Sequence, residues 1–297
     1  MSPQKTRLLV TGAGGQLGRA SVELLLEGGA DVEVVAASRQ PAKLGALAER
    51  GATLRHADFD RPESLAAAFA GVDAALIIST DQLHVPGARA RQHRAALEAA
   101  VAAGVGHICY TSMPGPELAA PIAFAPDHVA MESALAAGKV PYTVLRNSWY
   151  AEDLLFLLPH VLASGTWFTA AGQGRIAYVA RRDVARAAAA ALAGAPANRA
   201  LDISGPQLHT VEQIAALAGA VFDRPIKVVQ VDAITLARQL SAQGVPDFYV
   251  PMAVMTDLNQ AAGHFDVRSD AVEDLTGLAP QTLARFFLEH RAKFTPA

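Results

Sequence analysis

The sequence predicts an α/β fold, a doubly wound parallel sheet followed by a small C-terminal α+β lobe. Three observations carry this. Short apolar runs at 7–10, 31–38, 53–58, 74–80, 106–112 and 142–147 alternate with segments of helical period. Strands alternating with helices imply right-handed crossovers and a parallel sheet. The first run passes through Gly12-Ala13-Gly14-Gly15-Gln16-Leu17-Gly18 into a helix marked by Leu17, Val22, Leu25 and Leu26. With 52% hydrophobic and 18% charged residues, the 297-residue chain can build a substantial core rather than remain disordered.

The first turn needs its glycines for separate reasons. Gly12 lets the chain reverse, Gly15 lets backbone approach a pyrophosphate, and Gly18 lets the helix pack closely on the strand. The free N–H groups of the helix start, at the positive end of its dipole, then suit phosphates. A strand–turn–helix of this kind opens a Rossmann dinucleotide-binding unit.

The second strand follows at 31–38. An enzyme built for NAD places a carboxylate at the end of this strand, to accept from the ribose 2′-hydroxyl. Here the chain carries Ser38-Arg39, with Lys43 on the first turn of the next helix. A guanidinium pairs with a 2′-phosphate that a carboxylate would repel, so the expected cofactor is NADP(H). Asp31 and Glu33 lie at the wrong end of the strand to substitute.

The third strand, 53–58, ends at Asp58, placed to meet an adenine edge, and a helix starts at Asp60 with Pro62 in its first turn and stops at Gly71. The fourth, 74–80, is nearly all apolar and so central, ending in Ser79 and Thr80. A helix over 88–103 is expected to expose Arg89, Arg91, His93 and Arg94. The fifth strand, 106–112, ends in Thr111 and Ser112, a helix spans 127–137, and the sixth strand, 142–147, ends at Asn147. Ligands of such sheets gather at the strands' carboxyl ends, so one crevice collects these polar residues.

Past Trp149 the alternation stops. The apolar segments 154–159 and 167–168, broken by Pro159 and Gly165, either line an aromatic substrate pocket or cap the core. Helices at 182–192, 211–220, 234–243 and 281–293 and strands at 201–205 and 227–231 complete the chain. We expect a nucleotide-binding domain over 1–150 and a substrate lobe over 151–297, packed over the crevice and returning late elements to the core.

Composition narrows the partners. The formal charge of −3, without a basic block, argues against nucleic acid or an anionic membrane. The single cysteine, Cys109, forms no internal disulfide and suits a reducing compartment. Residues 1–6 are short for a signal peptide, and the run at 154–158 is too short to span a bilayer. A cytoplasmic protein is expected. The nine histidines show no ligand spacing, so no metal is expected.

Short-chain reductases commonly use a Tyr with a Lys four residues later. None of the five tyrosines has one. The helix that would carry the pair has His128 and Glu132 instead, one turn apart, a spacing that permits an imidazole–carboxylate contact and a raised histidine pKa.

These residues resemble the atypical short-chain dehydrogenase/reductases of the NmrA-like group, and within it the bacterial NADPH:quinone oxidoreductases of the second type and the triphenylmethane reductases. The likeness runs through residues 11–18, 39–43, 57–59 and 110–112, His128 with Glu132, and 142–150. Gly14 stands where the family usually has Thr, and the match is weaker around 247–265. The resemblance implies NADPH-dependent reduction of a quinone or similar planar conjugated acceptor. It places the cofactor on Gly12, Gly14, Gly15, Gln16, Leu17, Gly18, Arg39, Lys43, Asp58, Phe59, Ser79, Thr80, Thr111 and Ser112. His128, Asn147 and Tyr150 would orient the reacting groups. The missing Tyr–Lys pair then fits a hydride transfer whose stabilised product takes protons from water. Partners would be a small-molecule acceptor, with a homodimer left open. The alternative is a non-catalytic NmrA-like NADP-binding redox sensor.

Overall fold

The computed structural model describes residues 5–28, 32–83, 85–118 and 122–294. Asp31, part of the second predicted strand, lies outside them. The strands are β1 (Thr6–Val10), β2 (Val32–Ser38), β3 (Thr53–His56), β4 (Ala74–Ile77), β5 (His107–Ser112), β6 (Tyr142–Asn147), β7 (Thr166–Thr169), β8 (Asn198–Ile203) and β9 (Lys227–Gln230). The α-helices are α1 (Gln16–Glu27), α2 (Gly45–Glu49), α3 (Pro62–Phe69), α4 (Ala88–Ala102), α5 (Ala125–Ala137), α6 (Leu154–Ser164) and α7 (Arg181–Ala193). They continue with α8 (Val211–Phe222), α9 (Ala233–Ala242), α10 (Val250–Ala261), α11 (Ala271–Thr276), α12 (Leu283–Glu289) and α13 (Arg291–Phe294).

Seven strands pair in the order β3-β2-β1-β4-β5-β6-β8. The chain steps outward from β1 to β2 and β3, then returns to the other side of β1 for β4, β5 and β6. Strand order therefore reverses between β1 and β4, the position where open α/β sheets bind ligands. Pairing from β3 through to β6 is parallel. Val10 lies level with Ala36 on one side and Leu76 on the other, which brings the ends of β1, β2 and β4 to one edge. β4 and β5 are fully buried along their length, and β4 reads as a continuous apolar run for that reason.

The chain divides into two compact units. Unit 1 comprises Met1–Glu117, Ala123–Arg146 and Val184–Leu201; unit 2 comprises Leu118–Ile122, Asn147–Asp183 and Asp202–Ala297. In unit 1, Leu9, Val35, Leu65, Phe69, Ile77, Ala96, Ala100, Ile108 and Tyr110 share one core.

Within unit 2, β7 and β9 pair in parallel. Phe222, Phe286, Phe287 and Phe294 pack edge to face or tilted, with neighbouring centroids as close as 5.4 Å. The apolar segment expected to break at Pro159 is instead the single helix α6, with that proline inside it. Buried Leu154, Leu157, Leu158, Val161 and Leu162 supply packing that offsets the lost N–H. Helix α10, which begins with Val250-Pro251, and the short α11 were not anticipated from the sequence.

Candidate functional site

The first turn is pinned to both neighbouring strands. Thr11 donates its N–H to the Leu76 carbonyl at 3.0 Å, and its hydroxyl donates to the same oxygen at 3.1 Å. That hydroxyl also accepts the Ile78 N–H at 2.9 Å, while the Ala13 N–H reaches the Ala37 carbonyl at 3.0 Å. Gly12 has φ +62°, a left-handed conformation that favours glycine. At Gly18 a Cβ would stand 2.3 Å from the Gly12 carbonyl oxygen, so α1 packs on the turn only because that side chain is absent. Gly12, Gly14, Gly15 and Gln16 are exposed, whereas Leu17 is buried. No side chain caps α1, and its first turn holds no acid. Its positive dipole end thus meets neither a side-chain cap nor an acid, an arrangement that suits an anion.

The other strand ends follow along the same edge of unit 1. Arg39 comes directly after β2 and is exposed; Lys43 is exposed on the 3₁₀ turn Pro41–Leu44. Glu33, by contrast, lies near the other end of β2, where it takes the Arg7 guanidinium at 2.8 Å. Beyond β3, half-buried Asp58 accepts the Asp60 N–H at 3.1 Å, and Phe59 packs against the core. Beyond β4, the Ser79 N–H donates to Thr111 Oγ1 at 2.9 Å, tying this loop to β5. Among the described residues the buried Thr80 Oγ1 has no hydrogen-bond partner.

Beneath Thr80 lies a polar network that sequence reasoning missed. Arg89 and His93 were expected on the exposed side of their helix, but they are 6% and 1% exposed. They share the inward stripe of α4 with Ala96 and Ala100, and that i, i+4, i+7 spacing was the available signal. The Thr80 N–H donates to His93 Nε2 at 3.1 Å, and the Arg89 guanidinium donates to His128 Nε2 at 3.1 Å. Both donors can only donate, so both Nε2 atoms accept. Neutral rings then carry their protons on Nδ1, which faces the Tyr110 hydroxyl at 3.3 Å from His93 and 2.8 Å from His128. Burial keeps both rings neutral: His93 is pushed down to about 3 and His128 well below the usual histidine value, with the Arg89 charge adding to each. Asp127 pairs with the Arg89 charge, its Oδ2 lying 3.2 Å from Nε.

The expected His128–Glu132 contact does not form, and the histidine's pKa moves down rather than up. Glu132 turns instead to β5 and β6. It accepts the Ser112 hydroxyl at 2.6 Å and Arg146 Nη2 at 2.6 Å, closing a clamp across three elements. A guanidinium is the stronger partner for a carboxylate than a buried neutral imidazole.

In unit 2, Asn147 Nδ2 donates to the Tyr150 hydroxyl at 3.5 Å. Asn147 is 6% exposed, and among the described residues its Oδ1 has no partner. The Arg181 guanidinium lies over the Tyr150 ring, 5.0 Å from its centroid. Burial pushes the Tyr150 phenol up to about 12. Among the described residues no group of three or more His, Cys, Asp or Glu could hold a metal ion, and no helix is long and apolar enough to cross a membrane.

Residues 12–195 match a family described as NAD(P)H-binding. The chain belongs to the NAD(P)H-binding family. Its cofactor is a pyridine nucleotide, and it is an NAD(P)H-dependent oxidoreductase. It is 34% identical to quinone oxidoreductase 2 of Escherichia coli (strain K12) over 278 residues, 93% of this chain and 96% of that protein. The NAD(P)H azoreductase of Xenophilus azovorans is 27% identical over 297 residues, 98% of this chain and all of the relative. The crystal structure of the NADPH-dependent quinone oxidoreductase from Escherichia coli complexed with NADPH superposes with a TM-score of 0.88 at 34% identity, covering 96% of this chain and 99% of that one. Triphenylmethane reductase from Citrobacter, complexed with NADP(H), gives 0.86 at 29% identity with the same coverage. The residues of unit 1 fit such a cofactor: an uncapped helix start, a turn that excludes side chains, and exposed cations at the end of β2.

Proposed function

We propose that the chain reduces a quinone or a similar planar conjugated acceptor with NADPH. The observation that carries this reading is the solvent-facing turn Gly12–Gln16, open at the strand-order reversal, with Arg39 and Lys43 where an NAD enzyme would carry a carboxylate. Backbone N–H groups at the start of α1 would hold the pyrophosphate. Arg39, with Lys43, would pair the 2′-phosphate, while Asp58 and Phe59 would border the adenine. Ser79, Thr80, Thr111 and Ser112 would line the remaining strand ends, where the buried Thr80 Oγ1 lacks a partner. Asn147 and Tyr150 would orient the reacting groups, Asn147 through an Oδ1 that lacks a donor. His128 acts one step back, through Tyr110 and Arg89.

When bound, NADPH supplies the hydride; the protein orients the partners and excludes water. The relatives' names support the acceptor class, since quinones, azo compounds and triphenylmethanes of the dye type are all conjugated electrophiles. The test is anaerobic oxidation of NADPH in the presence of benzoquinone or naphthoquinone. Hydroquinone should appear in equal amount to the NADP⁺ formed. If no quinone, dye or aldehyde accelerates the loss of NADPH, the redox-sensor reading replaces this one.

A further inference from the structure

Two residues of unit 1, Gly14 and Ser38, meet where the first turn passes the end of β2. Ser38 is the last residue of that strand, directly before Arg39. Strand alternation puts it on one face with Val34 and Ala36, while Val35 and Ala37 join the core on the other. Gly14 approaches from the turn. A Cβ there would stand 3.2 Å from Ser38 Oγ, tighter than ordinary van der Waals contact. Gly14 is exposed and Ser38 half-buried, so the two face each other at the surface of the unit rather than in its core. The backbone of Gly14 is not left-handed, so its missing side chain matters for space and not for conformation.

The bonds around Ser38 fix what its hydroxyl can offer. The Gln40 N–H donates to Ser38 Oγ at 3.2 Å. The Ser38 carbonyl accepts the Ala57 N–H at 3.1 Å, which holds the strand end against the segment after β3. A serine hydroxyl has one proton and two acceptor sites. Gln40 takes one acceptor site, and the proton is left to donate. The end of this strand is where a bound dinucleotide places its adenosine ribose. A 2′-phosphate there presents three acceptor oxygens, of which one guanidinium fork pairs two, leaving a third for a neutral donor. Any side chain at position 14 would oblige Ser38 Oγ to shift or rotate, and rotation gives up the Gln40 bond.

We propose that Ser38 Oγ donates to the 2′-phosphate of the bound cofactor beside Arg39, and that Gly14 favours NADP(H) by leaving that hydroxyl uncrowded. The proposal rests on the NADPH reading above. It makes Ser38 a residue that selects between the two nucleotides, and Gly14 one that acts through Ser38. Were Ser38 there only to close the turn at Gln40, its loss would weaken every adenine nucleotide alike.

The experiment is calorimetric titration of the full-length protein with adenosine 2′,5′-bisphosphate and with adenosine 5′-monophosphate. These ligands differ only in the 2′-phosphate, and neither can be reduced, so turnover plays no part. The ratio of their affinities reads the 2′-phosphate contacts alone. In Ser38→Ala the bisphosphate should bind about tenfold more weakly, with the monophosphate within about twofold of wild type. Gly14→Ala keeps the hydroxyl but crowds it, and should lower the ratio roughly threefold. Added to Ser38→Ala, the same Gly14 change should leave the ratio where it was, because the atom it crowds is gone. A wild-type ratio in either single variant, or a Gly14→Ala effect of equal size with and without Ser38, overturns the proposal. A wild type that binds the two ligands equally overturns the NADPH reading itself. A preference that survives Ser38→Ala intact leaves that reading standing and removes Ser38 alone.

Discussion

Substituting Gly18 by alanine tests the geometry of the first turn most sharply. An added Cβ would lie 2.3 Å from the Gly12 carbonyl oxygen, 2.7 Å from its carbon and 3.0 Å from Ala13 Cα. All three are backbone atoms of a turn already held by Thr11 and Ala13 hydrogen bonds, so no side chain can swing aside. Relief requires α1 to move away from the turn. Overpacking of this kind costs about 1–3 kcal/mol, and alanine's better helix propensity returns no more than about 1 kcal/mol. Gly45 is the internal control: it is helical, and a Cβ there meets nothing within 4 Å. Gly45→Ala should stabilise by about 0.4–1 kcal/mol through the unfolded chain. Urea denaturation of both variants, with NADPH titration by fluorescence, makes the comparison. Gly18→Ala should lose stability and most of its cofactor affinity, while Gly45→Ala keeps the affinity. A Gly18→Ala protein with wild-type stability and affinity would refute the close-packing argument.

The buried network yields further outcomes. His93→Leu leaves the Thr80 N–H without its acceptor and should destabilise by about 1–3 kcal/mol, while His93→Gln, whose amide oxygen can accept that N–H, should recover part of the loss in paired urea melts. Because the folded pKa of His93 lies at about 3, below the unfolded value of 6.5, the unfolded state binds the extra proton between those limits. Its contribution is therefore complete above pH 6.5 and is lost as pH falls toward 3, a slope that His93→Gln should flatten in stability–pH curves. Asp153 and Asp257 act in the opposite sense, with folded values of about 6 above the usual 3.8, so their contribution is present below pH 3.8 and lost as pH rises through 6. Glu132→Ala breaks the clamp to Arg146 and Ser112 and should lower stability by about 1–3 kcal/mol. It should leave the pH dependence of turnover unchanged; a shifted profile would restore Glu132 to the chemistry.

Much of unit 1 was legible because parallel strands buried on both faces announce themselves as apolar runs, and because the turn at Gly12–Gly18 has few structural alternatives. Strand β6 and helix α4 fall close to the limits the pattern suggests. Arg89 and His93 were misplaced because residue type was weighed above helical position: their stripe with Ala96 and Ala100 pointed inward, and a buried arginine becomes tolerable only when Asp127 and His128 meet it from another helix. The His128–Glu132 spacing was correct, but spacing cannot report that Arg146, from β6, competes for the carboxylate. Pro159 misled for a related reason, since the leucines around it bury enough surface to carry a helix through the missing donor.

The proposed cofactor is a phosphorylated dinucleotide lying on the first turn with its 2′-phosphate at Arg39. The most direct measurement is kcat/KM for NADPH and for NADH, with naphthoquinone as acceptor, in the wild type and in Arg39→Ala. A charge-assisted contact of about 1.5–3 kcal/mol predicts that the substitution lowers the NADPH value roughly ten- to a hundredfold and leaves the NADH value nearly unchanged. Equal losses for the two nucleotides, or a wild type that prefers NADH, would contradict it.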